Sequence, residues 1–192
     1  MTEIIVTDSS SLIIHSLKDN SYIVDNSVND IKKSLNDYPE IIVYGKKCIQ
    51  RRSIGFFSDE SIGYKYSGQI EKAQPLTENL KLLLDYINSK FESDFNGILV
   101  NKYSNGNDYI SDHSDNEKEI SDKGVISVSY GAVRKFRIRD KITRKIVKDI
   151  PTENYQIIEM KGNFQREFLH GIPVEKKITD ERISFTFRKH YE

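Results

Sequence analysis

Two metal-capable side chains, His113 and Asp115, stand two residues apart in the run His113-Ser114-Asp115. In an extended strand such residues point to the same face, so one ion could take both. A further histidine, His170, lies far downstream, directly before Gly171-Ile-Pro173. Two imidazoles and one carboxylate on an octahedral ion leave three adjacent positions open, the arrangement suited to non-heme iron and oxygen chemistry. An isolated His-x-Asp is commonplace on surfaces and in turns. Here it closes an expected strand after a Gly-containing turn, and His170 ends another expected strand. His15 and His190 lie near the two termini and read as ordinary histidines.

The run Arg182-Ile-Ser-Phe-Thr-Phe-Arg188 is more specific. Alternation puts Arg182, Ser184, Thr186 and Arg188 on one face and Ile183, Phe185 and Phe187 on the other. The two guanidiniums are six residues apart, roughly 20 Å along a strand, and two arginines leaning inward could clamp a short dicarboxylate. Guanidinium pairs bidentately with carboxylates and keeps its charge when buried. A dicarboxylate beside such an iron site suggests 2-oxoglutarate. Asn101 and Tyr103, on one face of the strand Ile98–Tyr103, could add hydrogen bonds to it. The competing reading is a solvent-facing strand with ordinary salt bridges.

These residues need a scaffold. The polar first 40 residues contain one expected helix, around Ser27–Tyr38. Ile41–Tyr44, the turn Gly45-Lys46-Lys47 and an arm running to Arg52 read as a hairpin. Pro75 opens a helix whose Leu76, Leu80, Leu83, Leu84, Ile87 and Phe91 trace one face at the helical period. Strands are then expected at Ile98–Tyr103, Tyr109–His113, Val125–Tyr130, Arg134–Arg139, Lys145–Ile150, Tyr155–Met160, Gln165–His170 and Glu181–Arg188. Many short strands after a helical start predict an α+β, mainly β chain built as a double-sheet jelly roll with supporting helices.

Composition sets wider bounds. A chain of 192 residues with 37% apolar and 30% charged residues suits one compact domain. Formal net charge is zero, so no global field draws it onto nucleic acid. The single cysteine, Cys48, excludes an internal disulfide framework and suits a reducing, intracellular compartment. No run approaches the roughly 18 apolar residues of a membrane span, and the N-terminus lacks a secretory pattern. No membrane partner is expected, and a monomer is.

Taken in order, several pieces resemble the AlkB-type Fe(II)/2-oxoglutarate-dependent dioxygenases, nearest to the animal branch that repairs alkylated DNA. They are Val43-Tyr-Gly45, Arg52, Gly63-Tyr-Lys-Tyr-Ser-Gly68, Phe95-Asn96, Asn101-Lys-Tyr103, His113-Ser-Asp115 with Glu117, and Ser127-Val-Ser-Tyr-Gly131. Arg134, His170-Gly-Ile-Pro173 and Arg182…Thr186-Phe-Arg188 complete the set, which spans roughly Ile41 to His190. The resemblance implies a double-stranded β-helix with an N-terminal nucleotide-recognition hairpin region. It divides the chain into residues 1–40, an extension of unknown role, and a dioxygenase domain over 41–192. Within that domain, 41–74 is the nucleotide-recognition region and 95–190 the jelly-roll core.

The same resemblance implies roles. His113, Asp115 and His170 hold Fe(II). Asn101, Tyr103, Arg182, Ser184 and Arg188 hold 2-oxoglutarate, with O2 as co-substrate. Tyr66 stacks a flipped base opposite His113, Tyr64 and Glu117 contact its exocyclic amino group, and Tyr44 is the aromatic wedge of the hairpin. Arg52 and Arg134 complete the substrate contacts. Ser184 departs from the Asn usual in repair members, which removes one hydrogen bond at the co-substrate. The segment Asn154–Met160 lacks the glycine that usually opens its strand. Neither change touches a ligand, so an active centre is expected.

Charge placement gives separate support for a nucleic-acid substrate. Arg134, Lys135, Arg137, Arg139, Lys141, Arg144, Lys145 and Lys148 face one acid, Asp140, within a hairpin that could track phosphates. Lys46, Lys47, Arg51 and Arg52 form a second cluster around Tyr44. A charged edge that discourages aggregation is the plain alternative. A base must leave its stack to reach a recessed iron, and Glu117 as an acceptor favours adenine or cytosine. The expected activity is oxidative demethylation of 1-methyladenine and 3-methylcytosine in DNA, yielding formaldehyde, succinate and CO2. Competing readings are an RNA demethylase, a protein or small-molecule hydroxylase on the same centre, and a non-catalytic nucleic-acid-binding module.

Overall fold

The structure, a computed structural model, describes residues 1–43, 45–61, 63–66, 69–115 and 124–190, with backbone alone at 43, 64–66, 69 and 70. The chain opens with β1 (Thr2–Val6), β2 (Ser10–Ser16) and α1 (Ser21–Ile31), followed by the hairpin strands β3 (Glu40–Val43) and β4 (Lys46–Ile49). Next come β5 (Ser53–Phe57), β6 (Gly63–Tyr66), β7 (Gln69–Gln74) and α2 (Glu78–Phe91). The strands β8 (Gly97–Tyr103), β9 (Ile110–His113), β10 (Val125–Gly131), β11 (Lys135–Asp140), β12 (Ile146–Pro151) and β13 (Gln156–Gly162) follow. One helical turn, α3 (Phe164–Glu167), precedes β14 (Phe168–Ile172) and β15 (Arg182–Arg188).

Among the described residues, the major sheet runs β1-β2-β13-β10-β15-β8-β5-β7-β6, and the minor sheet β12-β11-β14-β9. Among the described residues the strands β3 and β4 pair with each other alone. Period-two alternation makes β15 the partition of the molecule. Ile183, Phe185 and Phe187 point into a core shared with Val24, Val28 and Ile31 of α1 and Leu80, Leu83 and Ile87 of α2. On the opposite face a second core joins Leu12, Tyr103 and Met160 of the major sheet to Phe136, Ile138 and Ile172 of the minor one. Two facing sheets with helices outside one of them are the expected jelly roll. Packing also explains α2: Thr77 caps it by accepting from the Leu80 N–H, and its apolar stripe is buried.

Three expectations shift. The first helix occupies Ser21–Ile31, because its buried stripe is Ile23, Val24, Ser27, Val28 and Ile31. The strand expected from Gln165 begins at Phe168, after α3. The boundary at residue 40 marks no structural break. Strand β2 pairs with β13 from Gln156↔Ser16 to Gly162↔Ser10, and Leu12, Leu17, Val24 and Ile31 are buried in the two cores. Among the described residues no helix is long and apolar enough to cross a membrane.

Candidate iron centre

Strands β9 and β14 are antiparallel neighbours in which His113 stands opposite His170. The ladder shifts register between His170 and Ile172. Gly171 fills that irregularity, where an added Cβ would lie 2.8 Å from the Ile110 carbonyl oxygen. The close approach of the two strands brings the imidazoles to 4.5 Å between centroids. Asp115 sits two residues beyond the end of β9 and turns back toward them. Its Oδ1 is 3.7 Å from His113 Nε2, and its Oδ2 is 3.5 Å from His170 Nε2. The three ligand-capable atoms all lie within 4.8 Å of one another.

Protonation states suit a cation. His113 donates from Nδ1 to the Ser111 carbonyl oxygen at 2.9 Å, which leaves the Nε2 lone pair facing the site. Burial, with His170 beside it, pushes the His113 imidazole down to about 3 against the opposing pull of Asp115. Burial by itself would raise the Asp115 carboxyl. Arg188, His170 and His113 outweigh it and hold the group well below the usual carboxylate range. Arg188 Nη2 donates to Asp115 Oδ1 at 2.7 Å. The donor set therefore combines the neutral His113 imidazole and the ionised Asp115 carboxylate with Nε2 of His170. His170 is braced by a ring stacked at 5.2 Å, that of Phe136.

These groups open into a pocket of about 530 Å³, its mouth included, between the two sheets. Arg52, Asn101, Tyr103, Arg182, Ser184, Thr186 and Arg188 line it with the triad. Arg182 is 2% exposed. Its Nε donates to Thr152 Oγ1 and its Nη2 to Ser129 Oγ, both at 3.0 Å, and it lies over the Tyr103 ring. Its Nη1 is buried with no hydrogen-bond partner among the described residues. Burial lowers the Arg182 guanidinium to about 10, so it stays charged at neutral pH. A buried cation with a bare N–H needs an anion, and a carboxylate in the pocket fits. The donor set suits Fe(II) and the bare guanidinium nitrogen suits 2-oxoglutarate.

The symmetric clamp expected of the two arginines divides into two tasks. Arg188 turns one nitrogen to the Asp115 carboxylate, and Arg182, which lines the pocket, keeps Nη1 bare among the described residues. The solvent-facing alternative for this strand is excluded, because every residue of β15 is buried.

The expected substrate contacts fare unevenly. Arg52 lies in the pocket, 5% exposed, with Nε donating to Asn101 Oδ1 at 2.7 Å. It is a pocket residue, not part of the surface cluster assigned to it. Arg134 is corrected outright. It is 1% exposed and donates to the carbonyls of Asn105, Asp108 and Pro173 and to Glu175. A guanidinium so enclosed fastens two loops and cannot meet a phosphate. Tyr64 and Tyr66 lie on β6, whose backbone alone is described. Tyr44 and Glu117 lie outside the described residues.

The basic run also resolves into distinct roles. Arg137 forms a bidentate pair with Asp149, Arg139 pairs with Asp112, and Lys141 donates to Ser114 Oγ and the Gln165 carbonyl. Arg144, Lys145 and Lys148 are exposed and have no ion-pair partner among the described residues. Sequence reasoning missed Ser129 and Thr152 as supports of Arg182, and Phe136 behind His170. Only Ser129 carried a signal, as part of Ser127-Val-Ser-Tyr-Gly131.

Comparison with known proteins decides the family. Residues 19–188 match the model of the 2OG-Fe(II) oxygenase superfamily. The chain belongs to that superfamily. The AlkB-type resemblance is borne out by relatives that include DNA oxidative demethylase ALKBH2 of Homo sapiens, 30% identical over 155 residues, which are 77% of this chain and 59% of the relative. The Arabidopsis thaliana protein of the same name is 29% identical over 177 residues, 78% of this chain and 56% of the relative. Alpha-ketoglutarate-dependent dioxygenase alkB homolog 3 of Bos taurus is 30% identical over 138 residues, 67% of this chain and 48% of the relative. The chain thus spans about half to three fifths of the curated relatives it matches. The solved structure of OsALKBH1 superposes with a TM-score of 0.61 at 16% identity, covering 93% of this chain and 97% of that one, and so supports the fold. Fe(II) and 2-oxoglutarate are the cofactors of this superfamily, and the triad and Arg182 fit both.

Proposed function

We propose that this 2OG-Fe(II) oxygenase is an oxidative N-demethylase of alkylated nucleic acid, acting on 1-methyladenine and 3-methylcytosine in DNA. The observation that carries the reading is the meeting, in one pocket, of the His113, Asp115 and His170 ligand atoms with the unpartnered Arg182 Nη1. The names of the ALKBH2 relatives support the substrate class. So do the exposed Arg144, Lys145 and Lys148, which can neutralise phosphates.

When bound, iron and 2-oxoglutarate would activate O2: the co-substrate would give up two electrons and one oxygen atom would end in succinate with loss of CO2, while the other would hydroxylate the N-methyl group, whose product would lose formaldehyde. The chain's own groups place and shield that chemistry. His113 and His170 would offer their Nε2 atoms to the metal, and Arg188 keeps Asp115 ionised beside them. Arg182 holds the distal carboxylate of 2-oxoglutarate, assisted by Asn101, Tyr103 and Ser184 on the same wall. Arg52 lines the pocket and contacts the substrate there. Tyr66 stacks that base, Tyr64 and Glu117 read its amino group, and Tyr44 fills the gap left in a duplex. The protein works as a monomer inside the cell, where a reducing compartment keeps the exposed Cys48 a thiol.

The test is anaerobic loading with Fe(II) and 2-oxoglutarate, then air, with methylated oligonucleotides followed by mass spectrometry. Single- and double-stranded DNA and RNA serve as parallel substrates, with His113→Ala as control. Methyl loss that requires both cofactors and His113 supports the reading, and its rank order among the three substrates fixes DNA or RNA. Succinate without methyl loss transfers the centre to another substrate, such as a protein or small molecule. Tyr44→Ala should reduce activity on duplex DNA more than on single strands.

A further inference from the structure

Asp115 is the one member of the triad that no β-ladder positions. The histidines are set by the pairing of β9 with β14, but that ladder ends at His113. The Asp115 main chain is instead held by the amide of Gln165, whose Oε1 accepts the Asp115 N–H at 2.9 Å. The other end of that amide donates to Met160 Sδ at 3.5 Å, which fixes which way the amide faces. Lys141 closes the arrangement. Its Nζ donates to Ser114 Oγ at 2.9 Å and to the Gln165 carbonyl oxygen at 3.1 Å.

The turn that carries Gln165 is itself immobilised. Phe164 is fully buried in the core between the sheets. Glu167 accepts hydrogen bonds from the hydroxyls of Thr7 and Ser9 on the β1–β2 connection and of Ser10 at the start of β2. A side chain locked at both ends on a rigid turn can impose geometry on a ligand, whereas one on a loose loop cannot.

We propose that Gln165 is a positioning residue for the iron centre, holding the Asp115 backbone so that its carboxylate meets the two imidazoles, with Lys141 steadying Ser114. This deepens the reading of His113, Asp115 and His170 as iron ligands and rests on it. Without the latch, the described residues hold Asp115 through its carboxylate, which His170 approaches at one oxygen and Arg188 pulls on at the oxygen that faces His113. Removing the acceptor leaves the Asp115 N–H to seek water and the carboxylate to swing. Partners of this kind typically govern roughly 10- to 100-fold in metal affinity.

The experiment uses the full chain and measures anaerobic Fe(II) binding with 2-oxoglutarate present, together with the visible absorption of that complex and the melting temperature of metal-free protein. Gln165→Met keeps the volume and removes the acceptor, and Gln165→Glu keeps an acceptor oxygen. Gln165→Met should bind Fe(II) at least roughly tenfold more weakly, with a displaced absorption band and a metal-free melting temperature within about 2 °C of wild type. Gln165→Glu should restore the affinity to within about threefold, the scale of one ordinary hydrogen bond. Wild-type affinity in Gln165→Met, or equal losses in both variants, overturns the proposal. If Gln165→Met does not fold, Lys141→Met decides: a loss of about threefold supports the latch, and unchanged affinity refutes it. Wild-type protein that binds no Fe(II) would overturn the iron-centre reading itself, an outcome visible without any variant.

Discussion

Arg182 offers the sharpest test of how the pocket holds its co-substrate. The change is Arg182→Met, which preserves length and apolar packing over Tyr103 while removing the guanidinium. The structure sets the magnitude. Two nitrogens are satisfied by Thr152 and Ser129, and the third is bare in a site 2% exposed. Losing one partner of a buried charge pair costs about 2–5 kcal/mol, or roughly 30- to several-thousandfold in dissociation constant. Calorimetry with Mn(II) in place of iron would measure 2-oxoglutarate against 2-oxobutyrate, which lacks the distal carboxylate. Wild type should prefer 2-oxoglutarate by that factor, and the preference should vanish in Arg182→Met, as a double-mutant cycle requires. Arg182→Lys keeps the charge but not the fork, and should recover only part of it. If Arg182→Met binds 2-oxobutyrate no better relative to 2-oxoglutarate than wild type does, the distal carboxylate lies elsewhere and the reasoning from the bare nitrogen is wrong.

Two further outcomes follow from burial. Arg134→Met should lower unfolding stability by about 3–5 kcal/mol in urea titrations, because Glu175 and three carbonyls lose a buried cation. The salt dependence of nucleic-acid binding should not change; a slope smaller by about one would restore Arg134 as a phosphate contact. Acid sensitivity should trace partly to His190, pushed down to about 4 by burial and by Arg188. Its folded value lies below the unfolded one of about 6.5, so the unfolded chain takes the proton first. Stability should be level above that pH and fall as pH drops toward 4, by up to about 3 kcal/mol from this group. His190→Gln should flatten the metal-free protein's curve over that window, and parallel curves would exclude the assignment.

Much of the centre was legible because it obeys short periods. The alternation of Arg182 to Arg188 put four polar side chains in the pocket and three apolar ones in the core, whereas Asp115 meets His113 by a turn beyond the end of β9 and not by strand alternation. What stayed hidden depends on partners distant in sequence. Arg134 reads as one more cation of a basic run, since the carbonyls that enclose it carry no mark of their own. Gln165 sits in a single helical turn between strands, too short for any periodic signal. The strands β1 and β2 are brief apolar runs among serines and aspartates, and only their pairing with β13 makes them part of the sheet.

That pairing bears on where the chain can be cut. A version starting at residue 41 would bare the edge of β13 over seven register positions and strip Leu12, Leu17, Val24, Val28 and Ile31 from the cores. An exposed edge rich in isoleucine is a template for intermolecular pairing, so the shortened protein should aggregate. The hydroxyls of Thr7, Ser9 and Ser10 would leave with it. The β1–β2 hairpin is thus a sheath over the sheet and a peg for the iron centre, and any minimal catalytic unit must begin ahead of it.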